Sequence, residues 1–297
     1  MECDESAEFV GWWDNVLRPT REPPSIVYYY CSVDAFIKIV TGKALWLTNL
    51  FFMNDSKEHY WLRDKARKYI HDQIQHDPDE FGYQYLDTIL KQEWMHEIYC
   101  ACFSERGDLL SQWRGYANDG TGVAIGFSTS HLQRMCGSLS GHFCNVIYED
   151  DKQDALIQAV FDLPDAQGDE QTIEQGSTMI LGRLSEAASR VKNPAFAEEA
   201  EWRMVCEPNL LSGGDKPTIW TVAKTPRFRD RAGTITPFME IPLVDGQDCR
   251  KIGMEPIKEV CFGPKVSLKL QEYATTLMLN QSEFRRVRLL QSSASYR

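Results

Sequence analysis

Apolar and polar residues alternate along several short segments of the chain with the two-residue period of a β-strand. Glu201–Cys206 is the clearest case, since its even-numbered residues are apolar and we expect them to enter a core. The opposite face carries Glu201 and Arg203, a carboxylate and a guanidinium two residues apart. They suit either the wall of a binding site or an ion pair at a strand start, and spacing alone favours the ion pair.

Other segments share this strand pattern or the 3.6-residue period of a helix. Strands are predicted at Ile26–Tyr30, Ala44–Thr48, Ile98–Ser104, Gly122–Phe127, Phe143–Tyr148, Thr218–Val222, Thr234–Pro242, Ile257–Gly263 and Arg286–Leu290. Helices are predicted at Val33–Thr41, after turn residues 53–58, and at Glu80–His96, Ser130–Met135, Asp154–Phe161, Thr172–Val191 and Ser267–Met278. The mixed order favours an α+β fold over a doubly wound sheet.

The 297 residues fit one large domain or two small ones. We expect residues 1–24 to form an N-terminal helical adaptor segment, which Pro23 and Pro24 end. Residues 25–297 would then form a single domain. The helical stretch at about 56–97 would be an insertion between two of its strands.

Charge and hydropathy exclude several kinds of protein. The net charge of −11 argues against a general binder of phosphate backbones, although a local basic patch could still hold a nucleic acid. No apolar run reaches the roughly 18 residues of a membrane span. The acidic N-terminus lacks the order of a signal peptide. We therefore expect a cytoplasmic protein with no membrane partner.

Nine cysteines are scattered along the chain, mostly in apolar runs, and none forms a Cys-x-x-Cys pair. We interpret them as buried free thiols in a reducing compartment. We expect no structural metal, because no ligand spacing typical of zinc occurs. The sequence also lacks a nucleophile elbow, a phosphate loop and a dinucleotide glycine fingerprint.

The segment 111–116 is dense in groups that can bind a ligand. Ser111, Gln112, Trp113 and Arg114 suit a pocket for a polar, partly aromatic molecule, in which the guanidinium could hold phosphate and the indole could stack. The alternative is a turn stabilised by Arg114 and a carboxylate. The residues alone leave both interpretations open.

A second group of candidates follows the first predicted strand. Tyr29 and Tyr30 could form an aromatic wall, with Ser32 close behind them. Core packing is the commoner role of consecutive tyrosines in a strand. Ser32 also suits the N-cap of the helix that follows.

Several motifs occur here in the order seen in the bacterial family DUF2971, and the likeness runs from about residue 26 to residue 264. They are Tyr-Tyr-Tyr-Cys-Ser, Leu-Trp-Leu-Thr-Asn, Met-Asn-Asp-Ser-Lys-Glu, Cys-Phe-Ser, Leu-Ser-Gln-Trp-Arg-Gly-Tyr and the segment 196–205. This family in turn resembles, more distantly, the ADP-ribosyltransferases, including the group that modifies DNA. The resemblance implies a split, mostly antiparallel sheet of the ADP-ribosyltransferase type in the domain 25–297.

Such enzymes bind and split NAD at a site between strands. These strands carry an N-terminal His or Arg, a central polar or aromatic residue and a late Glu. By this resemblance Glu201 is the late Glu, Arg114 is a second catalytic residue, and Tyr29 falls near the first motif position. Residues implied to contact NAD are Tyr29, Tyr30, Ser32, Asn54, Ser111, Gln112, Trp113 and Arg203. Breaking the nicotinamide bond develops positive charge on the ribose, which a fixed carboxylate stabilises.

The resemblance implies an NAD-dependent ADP-ribosyltransferase that uses NAD as co-substrate and needs no metal. Its acceptor would be a nucleic acid or a protein. A role as a toxin or anti-phage effector, with an antitoxin or another defence protein as partner, would fit. The alternative is a non-catalytic module of a defence system that binds a nucleotide or a partner. A nuclease is disfavoured, because no paired-carboxylate metal motif occurs.

Overall fold

The computed structural model describes residues 18–53, 58–77, 81–91, 98–139, 141–161, 180–206, 226–231, 233–244 and 255–296. The helix predicted near the N-terminus and the strand predicted at 218–222 lie outside these residues. The chain falls into two compact units. One comprises Met1–Arg18, Leu50–Ile98 and Val146–Ala197, and the other comprises Pro19–Asn49, Tyr99–Asn145 and Glu198–Arg297.

The second unit contains a mostly antiparallel sheet. Its strands are β1 (Ile26–Cys31), β2 (Ala44–Asn49), β3 (Tyr99–Ser104), β4 (Val123–Ser128), β5 (His142–Asn145), β6 (Glu201–Cys206), β7 (Arg227–Arg231), β8 (Thr234–Pro242), β9 (Ile257–Phe262) and β10 (Arg288–Gln291). They follow the order β10–β9–β4–β1–β3–β2–β8–β7, with β6 beside β3 and β5 beside β6. The pair β9–β10 is parallel.

The described helices are α1 (Val33–Gly42), α2 (Glu58–His76), α3 (Phe81–Lys91), α4 (Leu110–Tyr116), α5 (Thr129–Ser138), α6 (Asp150–Phe161) and α7 (Leu268–Gln281). Residues 180–188 are also helical. Together with the sheet, these helices confirm the predicted α+β class. No helix among the described residues is both long enough and apolar enough to cross a membrane.

Strand β3 is the centre of the sheet because it contacts three strands. Its whole length pairs with β6. On its other edge, Ser104 is in register with Tyr28 of β1, while Cys100 is in register with Thr48 of β2. β1 and β2 therefore meet β3 at opposite ends of the same edge. Within the described pairing, Ala101–Phe103 separate them.

One face of this sheet builds the main core of the second unit. Trp202, Met204 and Cys206 are all buried there, which confirms the alternation predicted for β6. Trp202 stacks on Phe143 with 5.4 Å between ring centres. The core fixes the orientation of β6, so the odd-numbered residues of that strand face the other side of the sheet.

The described helices of the first unit are α2, α3, α6 and residues 180–188. α2 and α3 lie in the chain stretch between β2 and β3, where we predicted helices. Buried aliphatic residues such as Leu62, Ile70 and Leu90 line their inner faces. Tyr69 of α2 stacks on Phe161 of α6 at 5.0 Å.

Two elements differ from the sequence-based predictions. β7 was not predicted, because four of its five residues are charged. It lies at the end of the described strand order, where no other described strand pairs with its outer edge, and charge is tolerated at a sheet edge. We also predicted no helix at Leu110–Tyr116. Burial of Gln112 and Trp113 on one side stabilises α4 there.

Candidate functional site

The face of the sheet opposite the main core carries a row of residues in register across six neighbouring strands. We call it the cross-strand row, and its members are Arg288, Glu259, Gly126, Tyr28, Ser104 and Glu201. Adjacent strands lie about 4.8 Å apart, so the row extends over roughly 24 Å. Residues in register share a face, which places these polar side chains side by side.

Glu201 ends the row and is paired with Arg203 on the same strand. The Arg203 Nε donates to Glu201 Oε1 at 2.7 Å, and the two side chains are 0% and 5% exposed. The prediction that these residues share a face is confirmed. Both charges are buried, so each compensates the other away from water.

A distorted turn directly before Glu201 in the sequence carries a second carboxylate, that of Glu199. Ala200 has a φ of 45°, a conformation uncommon for a residue with a side chain. The preceding Glu199 accepts a hydrogen bond from the Tyr116 hydroxyl at 2.9 Å, and its carbonyl accepts one from Ser104 Oγ at 2.8 Å. The turn therefore ties β6, β3 and α4 together. Backbone strain of this kind concentrates at functional sites.

Tyr28 occupies the middle of the row. Its hydroxyl donates to Glu259 Oε1 at 2.6 Å, and the guanidinium of Arg288 donates to the other oxygen of Glu259. Burial is the largest cause that raises the pKa of the Tyr28 phenol, and the hydrogen bond to Glu259 is the second. Because the phenol stays protonated at neutral pH, it acts as a hydrogen-bond donor.

The loop between β3 and α4 is held by two of the predicted site residues. The Tyr30 hydroxyl donates to the Arg106 carbonyl at 2.7 Å and accepts from the Leu109 amide at 3.0 Å. Trp113 Nε1 donates to Asp108 Oδ1 at 2.7 Å. The two rings meet edge to face at 4.8 Å in a small core, where Trp113 is fully buried. They pack the protein instead of forming an open wall for a ligand.

Tyr29 and Ser32 also have structural contacts. Tyr29 packs against the main core, 5.9 Å from the Phe103 ring, and thus lies on the other face from Glu201. Burial raises its pKa to about 12. Ser32 Oγ accepts from the Ala35 amide at 3.2 Å and caps α1, as predicted.

The remaining candidates are spread over α4 and beyond it. Ser111 and Arg114 are exposed, and the Arg114 guanidinium lies over the Tyr296 ring at 4.8 Å. Asp119 accepts a hydrogen bond from the Tyr296 hydroxyl, and the positive charge of Arg114 helps to lower the pKa of Asp119. Gln112 is buried. Asn54 lies outside the described residues.

Cys102 is in register with Arg203 and is half-buried. A hydrogen bond with Cys100, burial and the Glu201 charge raise the pKa of the Cys102 thiol well above its usual range. A protonated thiol is a poor nucleophile and a poor metal ligand. Among the described residues, no group of three His, Cys, Asp or Glu side chains could hold a metal ion.

Tyr28, Ser104 and Glu259 were missed as site residues, although all three fall on predicted strands. The structure brings Tyr28 and Ser104 into line with Glu201 through strand pairing between distant segments. Ser104 belongs to a Cys-Phe-Ser motif, which is a weak signal for a site residue. Its position beside Glu201 depends on register, which no local pattern specifies.

Residues 112–204 match the model of a family described as a protein of unknown function, DUF2971. Neither the curated proteins nor the solved structures gave a match. The matched segment begins in α4 and ends in β6. The part of the chain that carries Glu199, Glu201 and Arg203 is therefore similar to DUF2971 proteins.

Proposed function

We propose that the protein is an NAD-dependent ADP-ribosyltransferase that acts on a macromolecular acceptor. The observation that carries this proposal is the alignment of Tyr28, Ser104 and Glu201 on the adjacent strands β1, β3 and β6. The split of NAD needs an early residue, a central polar residue and a late Glu on neighbouring strands. The three aligned residues supply that set, with Tyr28 as the early residue in place of Tyr29.

Glu201 would stabilise the reacting ribose. The bond between C1′ and nicotinamide breaks, and its electron pair leaves with nicotinamide. Positive charge then develops on C1′ and the ring oxygen before the acceptor nucleophile attacks and loses its proton. A carboxylate in a water-poor site stabilises this charge strongly. The hydrogen bond from Arg203 holds Glu201 in place, so the carboxylate needs no reorientation during the reaction.

Tyr28 and Ser104 would position the ribose beside Glu201. The two residues are in register on the same face of adjacent strands, whose backbones lie about 5 Å apart. The Tyr28 phenol is fixed by Glu259 and stays protonated. A positioned sugar approaches the geometry of the transition state, which is a large part of enzymatic rate enhancement.

The burial of Glu201 against Arg203 favours a second candidate, a module that binds a nucleotide or partner without splitting NAD. Tyr28 also occupies the position where the resemblance implies His or Arg. Either candidate is compatible with a toxin or anti-phage effector and with a defence protein as partner.

The test is incubation of the purified chain with NAD, followed by chromatography for free nicotinamide. Wild type should release nicotinamide, and Glu201→Gln should lower the rate roughly 100- to 1,000-fold, as loss of one electrostatic contact does. Glu198→Gln is the matched control, because Glu198 is exposed and three residues away, and its rate should stay within a few-fold.

NAD binding without nicotinamide release would favour the binding module, and absence of both would reject both candidates. Mass spectrometry of host nucleic acid and protein after controlled expression identifies the acceptor by an added ADP-ribose. A full rate in Glu201→Gln would remove the proposed centre of the reaction.

A further inference from the structure

A pocket of about 570 Å³ opens where β1 begins, β4 ends and β10 begins. Its lining combines three hydroxyl side chains with three cationic ones, namely Ser25, Ser128, Ser130, Lys258, Arg286 and Arg288. Arg288 also belongs to the cross-strand row, at the end opposite Glu201. The pocket is therefore distinct from the proposed catalytic residues.

Two of the cations that line this pocket differ in their contacts. Glu259 is buried and pairs with Arg288. Arg286 makes no hydrogen bond or ion pair with any residue that the structure describes. On a protein with a net charge of −11, a concentration of positive charge around a concave surface indicates an anionic ligand.

The backbone at Arg286 is strained. Its φ of 61° lies in the left-handed region, which residues with a Cβ rarely adopt. Strain of this kind persists where the surrounding structure enforces it, and such positions cluster at ligand sites. The strained residue is also the cation that has no partner within the described chain.

The hydroxyl groups that line the pocket can donate hydrogen bonds to the oxygens of such an anion. Ser128 Oγ and Ser130 Oγ lie 3.1 Å apart at the start of α5. The first turn of the helix adds the positive end of the helix dipole.

We propose that this pocket binds the phosphate groups of a small phosphorylated ligand. Guanidinium groups fork onto phosphate oxygens, and serine hydroxyls donate to the remaining ones. The volume lies in the range of pockets that enclose small molecules. The acidic charge of the whole chain disfavours a nucleic acid backbone as the ligand.

Isothermal titration of the full chain with pyrophosphate and with ADP tests this site. Both should bind, and the affinity should fall as salt rises. Arg286→Ala should weaken binding at least about tenfold, because it removes a charge-assisted contact. Arg285→Ala is the matched control, since it removes the same charge from the neighbouring residue, which does not line the pocket, and should change the affinity less than about twofold.

A second variant separates binding from folding. Arg286→Gly should weaken binding as much as Arg286→Ala does and should raise the melting temperature, because glycine adopts the positive φ without strain. A lower melting temperature would show that Arg286 supports the fold and would overturn the proposal. So would failure of wild type to bind pyrophosphate or ADP, or an equal loss in Arg285→Ala.

Tighter binding of a 5′-phosphorylated oligonucleotide than of ADP would also overturn the proposal, because the ligand would then be a nucleic acid. None of these measurements needs NAD turnover. Failure of the pocket and failure of the transferase reaction are therefore distinguishable.

Discussion

Glu201 and Arg203 are two charges that the sheet removes from water together. Deleting one partner of a buried pair leaves the other charge uncompensated, at a cost of about 3–5 kcal/mol. We therefore expect Glu201→Ala to lower the free energy of unfolding by about that amount, measured by urea denaturation. Glu201→Gln should also lower the free energy of unfolding, because a neutral amide leaves the buried Arg203 charge uncompensated.

A double variant distinguishes the pair from simple loss of packing. Glu201→Leu combined with Arg203→Met should recover most of the stability, because an apolar pair needs no charge compensation. Glu198→Ala should change the unfolding free energy by less than about 0.5 kcal/mol, since its side chain is exposed. If the double variant instead lost as much unfolding free energy as the two single substitutions together, this account would be contradicted.

Gly107 leaves space for the Tyr28 ring, and this contact gives a second prediction. A Cβ at Gly107 would lie 2.4 Å from Tyr28 Cε1, so the ring or the loop has to move in Gly107→Ala. We expect a loss of about 1–3 kcal/mol in unfolding free energy, as overpacking produces. Displacement of the Tyr28 hydroxyl should also reduce the rate of any reaction at the cross-strand row.

Gly137 supplies the control for this substitution. It is exposed in α5, and nothing lies within 4 Å of a Cβ built there. Gly137→Ala should stabilise the protein by about 0.5–1 kcal/mol through helix propensity. Gly107→Ala is then made in a Tyr28→Ala variant, which lacks the ring. If the substitution lowers the unfolding free energy no more in wild type than in that variant, contact with the ring is not the cause.

At the scale of elements, alternation and turn residues predicted much of the sheet. β8 has the predicted bounds Thr234–Pro242, and β6 buries its predicted core face. The pattern works there because one face of each strand packs in the core. β7 lacks that signal, since its charged side chains lie on an edge strand and its apolar Phe228 is 69% exposed.

The candidate site was less predictable, and the first strand shows why. Tyr28 and Tyr29 are chemically alike, yet a single position decides which of them shares a face with Glu201. The sequence favoured Tyr29, whereas the register with Ser104 selects Tyr28. Arg114 was assigned from its chemistry, and its contact with Tyr296 comes from the far end of the chain. Long-range pairing determined both outcomes.

At the scale of the molecule, Asp108 joins the C-terminal residues to the loop before α4. Burial alone would raise its pKa, but hydrogen bonds from Ser292, Trp113 and Ser293 hold the pKa below its usual value. A lowered carboxyl pKa adds stability above the unfolded-state pKa, and that stability is lost as the pH falls through the folded-state value. The protein should therefore lose stability in acid partly through Asp108.

Unfolding of Asp108→Asn across pH tests this linkage. Because Asp108 is exposed and solvent screens its contacts, the variant should be less stable than wild type at pH 7 by at most about 1 kcal/mol, and the difference should shrink below about pH 4. Asp151→Asn is a suitable control because Asp151 is exposed at the start of α6. A difference between wild type and Asp108→Asn that is constant across pH would rule out the charge as its origin.

The buried thiols give the sheet a set of built-in chemical reporters. Five strands carry a buried free cysteine, namely Cys31 on β1, Cys100 on β3, Cys144 on β5, Cys206 on β6 and Cys261 on β9. Burial raises the pKa of the Cys31 and Cys261 thiols, to about 12 for Cys261, so alkylating reagents meet little thiolate while the strands are closed. Each cysteine therefore reacts when its own strand opens, and peptide mapping of the alkylated sites records the order in which the sheet comes apart.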